Sequence, residues 1–295
     1  MTNKVALIGA GVMGYAIGSR LLECQSELRV FDRNPEKVAA LVANGAIAAS
    51  SAADAASGSN FIILSLNSAD IVRAAVFADA GVAETASAGT MIIDMSSVDP
   101  ESTRALAADA AEKSLHWLDC PLSGGAPKAL IGQLTVMAGG NEADFEASKA
   151  VMNQLCANFN LMGPSGAGQT TKLINQVLCA LNFVAVAEAT QLALDAGVNA
   201  EKIPQAIKGG RADSAILQEF MGKMARHDYS PSGRIDNMVK DLHGAQDLAR
   251  QTGTAMPLTA VCLEMHRLLT SAGLGGADNA ALMKFFEGPA KGDIA

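Results

Sequence analysis

The sequence has few charged residues and no excess of basic ones, and both shortages exclude classes of protein. Charged residues make up 18% of the 295 residues and hydrophobic residues 49%, a composition that argues against long disordered stretches and supplies a large core. The formal net charge is -8, whereas a nucleic-acid partner calls for a basic face, so none is expected. The length is typical of two domains.

Paired cysteines, clustered histidines and long apolar runs are also missing. The five cysteines are odd in number and lack CxxC spacing, which indicates a reducing compartment without a disulfide framework. None of the four histidines stands at metal-ligand spacing from a cysteine, so no metal site is predicted. The chain opens without the segments of a signal peptide, and its longest apolar run, residues 177–186, is too short to span a membrane. We therefore expect a cytoplasmic protein with no membrane partner.

The first 160 residues do contain an alternation of short apolar runs and helical patterns, which is typical of βαβ units around a parallel sheet. The predicted strands are residues 5–8, 28–31, 61–64, 91–94, 116–119 and 134–137, and the helices between them include residues 35–44 and 100–113. This pattern predicts an α/β fold with an N-terminal doubly wound sheet of the Rossmann type.

After Gly168 the apolar period becomes helical almost to the end of the chain. A helix from about residue 169 to residue 196 would be roughly 40 Å long and could join two domains. We predict a dinucleotide-binding domain over residues 1–163 and an all-helical domain for substrate binding and oligomerisation over residues 164–295.

A glycine-rich GxGxxG turn follows the first predicted strand and opens a helix, which is the context that dinucleotide binding requires. Gly9 would allow the tight turn, Gly11 would let the backbone approach a pyrophosphate, and Gly14 would let the helix pack on the strand. Val12 and Met13 complete the turn, whose free N–H groups favour an anion. The alternative is a glycine-rich turn without a ligand.

Asp32 ends the second strand, 18 residues after Gly14, where a carboxylate accepts hydrogen bonds from the adenosine ribose and repels a 2′-phosphate. This position favours NAD over NADP. Arg33 comes next and would stack on adenine or, alternatively, meet the phosphate of NADP. Asp32 could also serve as a simple helix N-cap ahead of Pro35.

A single lysine, Lys172, stands near the start of the long apolar helix, and Asn175 lies three residues further on the same helix face. A lysine in such a place is either a solvated surface charge or a catalytic acid/base with the amide as its orienting partner. The helix alone leaves both readings open.

Four motifs together resemble the β-hydroxyacid dehydrogenase family, which includes 3-hydroxyisobutyrate dehydrogenase and tartronate semialdehyde reductase (2-hydroxy-3-oxopropionate reductase). They are the N-terminal glycine turn, the run from Asp119 to Ala129 that continues to Leu134, the run from Gly163 to Asn175, and Lys240-Asp241-Leu242. They span nearly the whole chain in the family's order. The resemblance implies a dehydrogenase that transfers a hydride between a nicotinamide cofactor and a small carboxylate substrate, a 3-hydroxy acid or its semialdehyde.

The resemblance also implies a role for each motif. Lys172 would be the general acid/base, and Asn175 would bind and orient the substrate. Ser123, Gly124 and Gly125 would cradle the substrate carboxylate, a role that converging backbone N–H groups also suit on physical grounds. An ordinary turn is the alternative for these three residues.

Further cofactor contacts are implied at Leu66, Asn67, Ser96 and Lys240. The first three follow predicted strands, where ligands of open α/β sheets bind and where strand-terminating caps also occur. For Lys240 the alternative is an i,i+4 salt bridge with Asp236.

Two positions depart from the tartronate semialdehyde reductases. Gly233 stands where those enzymes usually carry an aromatic residue, and its loss would enlarge the pocket for a bulkier 3-hydroxy acid. Arg211 could add a positive charge near the substrate, but a simple pair with Asp213 is the favoured interpretation.

Two other functions compete with the dehydrogenase. Imine reductases on this scaffold usually replace the catalytic lysine by aspartate or tyrosine, so Lys172 argues against them. A non-catalytic binding module would be expected to lack that lysine. The apolar helices predict a homodimer or homotetramer.

Overall fold

The protein is described by a computed structural model over residues 3–287. Residues 1–2 and 288–295, at the outer ends of the two predicted domains, lie outside the described residues. The chain divides into two compact units, Met1–Lys172 and Leu173–Ala295. This division falls inside a helix, and the predicted domain boundary after residue 163 stays a prediction.

The first unit is built on one nine-stranded sheet. Its strands are β1 (Lys4–Ile8), β2 (Glu27–Phe31), β3 (Ile47–Ala48), β4 (Phe61–Leu64), β5 (Met91–Asp94), β6 (His116–Asp119), β7 (Leu122–Ser123), β8 (Leu134–Gly139) and β9 (Cys156–Gly163). The order is β3-β2-β1-β4-β5-β6-β8-β7, with β9 paired to β8. Strands β1 to β6 are parallel, β8 runs antiparallel to β6 and β7, and β9 is parallel to β8. The predicted Rossmann-type sheet is confirmed.

The helices of the first unit follow these strands. They are α1 (Val12–Glu23), α2 (Ala39–Ala43), α3 (Ala52–Ala56), α4 (Ala69–Phe77), α5 (Pro100–Glu112), α6 (Gly125–Leu130) and α7 (Glu142–Met152), with short 3₁₀ turns at Pro35–Lys37 and Val82–Glu84. The helix predicted over residues 35–44 is therefore broken, because a 3₁₀ turn capped by the Asn34 side chain precedes α2.

Both faces of the sheet are buried, as expected for a parallel sheet covered by helices. Alternate residues of one strand enter different cores: Val5 and Leu7 of β1 pack in one cluster, and Ala6 and Ile8 in the other. This two-sided burial holds the carboxyl ends of β1, β2, β4 and β5 in register along one edge of the sheet.

The second unit is helical over its described residues, apart from one isolated bridge. The helix α8 (Ala167–Asp195) begins in the first unit and continues into the second. It is followed by α9 (Ile203–Ala206), α10 (Ala215–Ala225), α11 (Ile235–Thr252) and α12 (Pro257–Leu269), with 3₁₀ turns at Ala200–Lys202 and Asn279–Phe285 and a π turn at Thr270–Leu274. The core of this unit includes Phe183 and Phe220, whose rings meet edge to face with centroids 4.7 Å apart.

By length and composition alone, α8 is the one helix within residues 3–287 that could cross a membrane, although its apolar run looked too short in the sequence. In its most apolar 18-residue window, 39% of the residues are buried. Core helices of soluble proteins have the same length and composition, so this is weak evidence for a membrane span.

Candidate active site

The three glycines of the turn between β1 and α1 are explained by three different surroundings. A Cβ on Gly9, whose φ is 97°, would lie 2.4 Å from the Ser65 carbonyl oxygen, and a Cβ on Gly14 would lie 1.9 Å from the Gly9 carbonyl oxygen. A Cβ on Gly11 would meet nothing within 4 Å. The fold thus requires glycine at the first and third positions, whereas the open space over Gly11 fits a ligand that approaches the backbone.

A cavity of about 420 Å³ lies beside this turn and is lined by residues that include Gly11, Val12 and Tyr15 of the α1 end and Ala126 of α6. Val12 is 80% exposed there, although it is a large apolar residue. The turn therefore presents open backbone and an uncovered apolar side chain to the same space, as a dinucleotide site would.

Asp32 follows β2 and braces the glycine turn. Its Oδ2 accepts a hydrogen bond from the Ala10 N–H at 2.9 Å, and its Oδ1 accepts one from the Asn34 N–H at 2.8 Å. The N-cap of the following 3₁₀ turn is Asn34, so the alternative of Asp32 as that cap is wrong. Each carboxylate oxygen keeps a further lone pair for a ribose hydroxyl. Arg33 is exposed beside it.

Leu66 and Ser96 are bonded to each other across neighbouring strand ends. The Leu66 N–H donates to the Ser96 Oγ at 3.0 Å, and Ser96 is 2% exposed, whereas Asn67 is exposed. The Ser96 hydroxyl thus helps to fix the turn after β4, and the strand-cap interpretation holds for it. Cofactor contact at these three residues stays a prediction.

Ser123 ends β7, and the two glycines after it turn the chain into α6. Gly124 and Gly125 have φ values of 118° and 68°, a backbone conformation that favours glycine. The turn itself accounts for both glycines, and both are exposed. A role in binding the substrate carboxylate stays a prediction.

Lys172 and Asn175 lie on α8, where Lys172 is the last residue of the first unit and is half-buried. In the second unit the Asn175 amide donates to the Gln176 Oε1 at 2.9 Å, and the Gln176 amide donates to the Asp241 Oδ2 at 2.6 Å. The Lys240 Nζ lies 3.9 Å from the Asp241 Oδ1. The structure therefore links Asn175 to Lys240 through two side chains that the sequence did not single out for this purpose.

The alternative partner for Lys240 was Asp236, but Asp236 is ion-paired with Arg234 at the start of α11. Arg234 is the residue before α11 and Asp236 lies in its first turn, so they pair with each other locally. The Lys240 side chain is half exposed.

The pair expected between Arg211 and Asp213 is absent from the described residues. The Asp213 carboxylate instead accepts from the Gly209 N–H and from the Gln218 amide, both at 2.7 Å. These bonds close the turn before α10 locally, and Arg211 is exposed.

Gly233 is fixed in a loop held by Asp278. The Asp278 Oδ2 accepts hydrogen bonds from the Ser232 N–H, the Ser232 hydroxyl and the Gly233 N–H at 2.7, 2.8 and 3.0 Å. The Asn279 amide donates to the Gly233 carbonyl at 2.7 Å. Hydrogen bonds with Asp278 and Asn279 thus hold the loop at Gly233.

Within residues 3–287 no group of three or more His, Cys, Asp or Glu side chains could hold a metal ion.

Comparison with known proteins matches both parts of the chain. Residues 4–163 match the NAD binding domain of 6-phosphogluconate dehydrogenase, and residues 166–286 match the NAD-binding family of NADP-dependent 3-hydroxyisobutyrate dehydrogenase. The chain is 33% identical to the 2-(hydroxymethyl)glutarate dehydrogenase of Eubacterium barkeri, over 96% of this chain and 95% of that protein. It is also 33% identical to the 2-hydroxy-3-oxopropionate reductase of Escherichia coli, over 96% and 97%.

A solved structure of the Mycobacterium tuberculosis 3-hydroxyisobutyrate dehydrogenase with L-serine is similar throughout, with a TM-score of 0.88 at 26% identity, covering 98% of this chain and 100% of that one. The chain belongs to the β-hydroxyacid dehydrogenase family. It is therefore an oxidoreductase that binds a nicotinamide dinucleotide, NAD or NADP, and acts on CH–OH groups.

This member of the family has two buried carboxylates at the same sheet edge, and sequence reasoning gave neither a role. Asp94 and Asp119 end the neighbouring strands β5 and β6, face each other in register and have no exposed surface. Burial raises the pKa of Asp94 to about 7, against the hydrogen bonds from Ser96 that lower it, and the Asp119 charge raises it further. Burial likewise raises the pKa of Asp119, although hydrogen bonds from Gly166 and Gln169 oppose it.

The available sequence signal was a polar residue at the end of an apolar strand, and this signal does not identify the partner. Asp119 contacts residues 47 and 50 positions away in the chain. Only the folded sheet shows that it meets the start of α8.

Proposed function

We propose that this β-hydroxyacid dehydrogenase interconverts a small 3-hydroxy acid and its semialdehyde, of the tartronate semialdehyde or 3-hydroxyisobutyrate type, with Lys172 as the general acid/base. The observation that carries the proposal is the single lysine in the first two turns of α8, in a chain 33% identical to a 2-hydroxy-3-oxopropionate reductase. Membership of the family supports the same role.

The glycine turn and the ends of β2, β4 and β5 would hold the cofactor. Its pyrophosphate would lie over Gly11 at the start of α1, and Asp32 would accept from the ribose hydroxyls, which makes NAD the proposed cofactor. Contacts at Gly9, Val12, Met13, Gly14, Arg33, Leu66, Asn67, Ser96 and Lys240 complete the proposed set. The chemistry that the bound nicotinamide supplies is hydride transfer.

Lys172 would handle the proton that accompanies the hydride. In oxidation its neutral amine accepts the proton of the substrate hydroxyl, and in reduction its ammonium returns a proton to the carbonyl oxygen. Ser123, Gly124 and Gly125 would bind the carboxylate through backbone N–H groups and one hydroxyl. Asn175, whose amide nitrogen donates to the Gln176 Oε1 and the Cys179 Sγ, would orient the substrate through its Oδ1 acceptor.

The test is a panel of C3 to C6 hydroxy acids and semialdehydes with NAD(H) and NADP(H), followed by the Lys172→Ala variant. We expect turnover of at least one small 3-hydroxy acid, higher kcat/KM with NAD than with NADP, and loss of turnover in the variant with NADH binding retained. Lys149→Ala, which removes a lysine paired with Glu146 on α7, is the matched control. Turnover by Lys172→Ala at the native rate would refute the catalytic role.

A bulkier 3-hydroxy acid is the second candidate, favoured by Gly233. A glycine there presents no side chain, and the loop is held by Asp278 without an aromatic residue. The chain is as similar to a 2-(hydroxymethyl)glutarate dehydrogenase as to the reductase. Higher kcat/KM for a C6 diacid than for the C3 and C4 acids would support this candidate.

We propose a homodimer or homotetramer in the cytoplasm. The second unit exposes large apolar side chains on α8 and α12: Ile174, Leu178, Leu192, Leu258, Val261 and Leu268. Exposed apolar patches mark interaction surfaces, and these side chains would form one where subunits meet. Size-exclusion chromatography with light scattering measures the number of subunits, and a monomer at micromolar concentration would contradict the proposal.

A further inference from the structure

A chain of buried polar groups joins the start of α8 to three strand ends of the sheet. Asp119, Gln169 and Ser96 are each no more than 2% exposed, yet all three are hydrogen-bonded. Buried polar groups are costly unless they are satisfied, and a fully satisfied network fixes one geometry. The network therefore restricts how the helix can lie on the sheet.

Asp119 caps α8 from a distant strand. Gly166 is the residue before the first helical turn, and its carbonyl accepts the first bond, from the Thr170 N–H at 2.9 Å. An N-cap side chain normally bonds the third N–H of the helix, and a partner side chain returns to the N-cap N–H. Gly166 has no side chain, and Asp119 performs both tasks, accepting the Gly166 N–H at 2.8 Å and the Gln169 N–H at 2.9 Å.

The backbone at this point has no space in which to shift. A Cβ on Gly168 would lie 2.5 Å from the Met137 carbonyl oxygen and 2.7 Å from the Asp119 Oδ2. A Cβ on Gly139, which pairs with Asp119, would lie 2.4 Å from the Asp119 Oδ1. Glycines on both sides thus let the helix start rest directly on the ends of β6 and β8.

Gln169 extends the connection to the strand ends that carry predicted cofactor contacts. Its amide Nε2 donates to the Ser96 carbonyl at 2.8 Å, and the Ser96 hydroxyl accepts from the Leu66 N–H at 3.0 Å. Lys172 lies three residues after Gln169, less than one helical turn away. A displacement of Gln169 would therefore also displace Lys172, because both residues lie on the same helix.

We propose that Asp119 and Gln169 are positioning residues that fix the first turn of α8, and with it Lys172, against the strand ends at Leu66 and Ser96. This inference rests on the proposed function of Lys172. Neither residue needs to touch the substrate, because each acts through the placement of the helix. Displacement of a catalytic group by about 1 Å can cost as much as a hundredfold in rate.

The test uses two variants that keep the shape of the side chain. Asp119→Asn leaves one acceptor oxygen for two N–H groups and turns an N–H₂ donor towards the other. Gln169→Met keeps the backbone bond to Asp119 and loses only the bond to Ser96. Ser148→Ala is the matched control, since it removes a buried hydroxyl in α7 that donates to the Phe145 carbonyl at 2.7 Å, in the same unit.

For both test variants we expect kcat to fall by about tenfold or more, with the KM of the cofactor changed less than about threefold. The solvent deuterium isotope effect on kcat should rise, because proton transfer with a displaced Lys172 becomes slower relative to the other steps. Active sites are counted by NADH binding, so that partial unfolding does not imitate a lower kcat. The control should keep native kcat and isotope effect.

The outcomes separate the two proposals. Turnover that survives in Lys172→Ala, or no turnover of any acid in the panel by the native protein, refutes the proposed function. If Lys172→Ala is inactive but Asp119→Asn and Gln169→Met keep kcat within about twofold of the native value per active site, only the positioning role is refuted. A lower kcat with an unchanged isotope effect also refutes it, since a purely structural defect would give that result.

Discussion

Asp94 should make the stability of the first unit depend on pH in the direction opposite to most carboxylates. It has no exposed surface, its Oδ1 accepts the Ser96 N–H at 3.0 Å, and its Oδ2 has no hydrogen-bond partner among residues 3–287. Asp119 adds a second carboxylate on the neighbouring strand. Burial is the main cause that raises the Asp94 pKa to about 7.

The direction of this pH dependence follows from the proton that the folded state retains. In the unfolded chain the carboxyl ionises near 3.8, whereas in the folded protein it stays protonated up to about pH 7. The contribution of Asp94 to the free energy of unfolding is therefore greatest below pH 3.8 and falls as the pH rises to 7. The full difference corresponds to about 4 kcal/mol, of which about 3 kcal/mol lies between pH 5 and pH 8.

The perturbation is Asp94→Asn, which keeps the acceptor for Ser96 and cannot ionise. Urea unfolding is measured from pH 5 to pH 8 by the fluorescence of Trp117, the only tryptophan, which lies in β6 of the same unit. We expect the native protein to lose about 3 kcal/mol relative to the variant as the pH rises. Stability curves that stay parallel over this range would refute the reasoning.

Asp54→Asn is the control for this experiment. Hydrogen bonds from the Ser50 N–H and hydroxyl lower the pKa of Asp54, so its carboxylate is ionised in both the folded and the unfolded state above pH 5. The difference between the native protein and this variant should stay constant from pH 5 to pH 8.

Two further predictions concern the glycine turn and the second unit. Gly14→Ala should lower the free energy of unfolding by about 3 kcal/mol, because its Cβ would strike backbone, whereas Gly11→Ala should fold with near-native stability and lose affinity for NADH in a fluorescence titration. Native NADH affinity in Gly11→Ala would contradict a pyrophosphate at this glycine. Asp278→Ala should destabilise the second unit by about 3 kcal/mol in urea unfolding followed by circular dichroism, since it removes the bond from the Ala280 N–H and three bonds from Ser232 and Gly233. Burial raises the pKa of Asp278 but these bonds lower it more, so its contribution is present above pH 3.8 and should be lost as the pH falls through the lowered pKa.

The buried strands could be predicted from the sequence because short, continuous apolar runs bounded by turn residues fit few conformations other than a buried strand. The structure reproduces the predicted bounds of β4, β5 and β6. Strand β9 was missed because most of its residues are partly or fully exposed and two of them, Asn158 and Asn160, disfavour strands. Its conformation comes from pairing with β8, which local sequence does not reveal.

The glycine turn could be read from spacing because its chemistry is local. The network around Asp119 could not be predicted from spacing, because three further strands, β7, β8 and β9, separate Asp119 from its partners Gly166 and Gln169 in the chain. A glycine-rich run before a helix suggests a missing local cap, and a buried carboxylate elsewhere is the natural replacement. That signal predicts that a cap exists, but not which residue provides it.

A turn that binds a ligand is distinguished from an ordinary turn by features that the packing of the fold does not explain. Gly9 and Gly14 are fixed by contacts with backbone, so they would be glycine in a turn with or without a ligand. Gly11 has open space where a side chain would stand, and Val12 beside it is 80% exposed, so packing explains neither. Gly11 is also the N-cap of α1, a position that favours glycine, so its identity alone does not require a ligand. The open space over its backbone, beside the cavity that Val12 also lines, is the physical argument, apart from resemblance, that this edge of the sheet binds a cofactor.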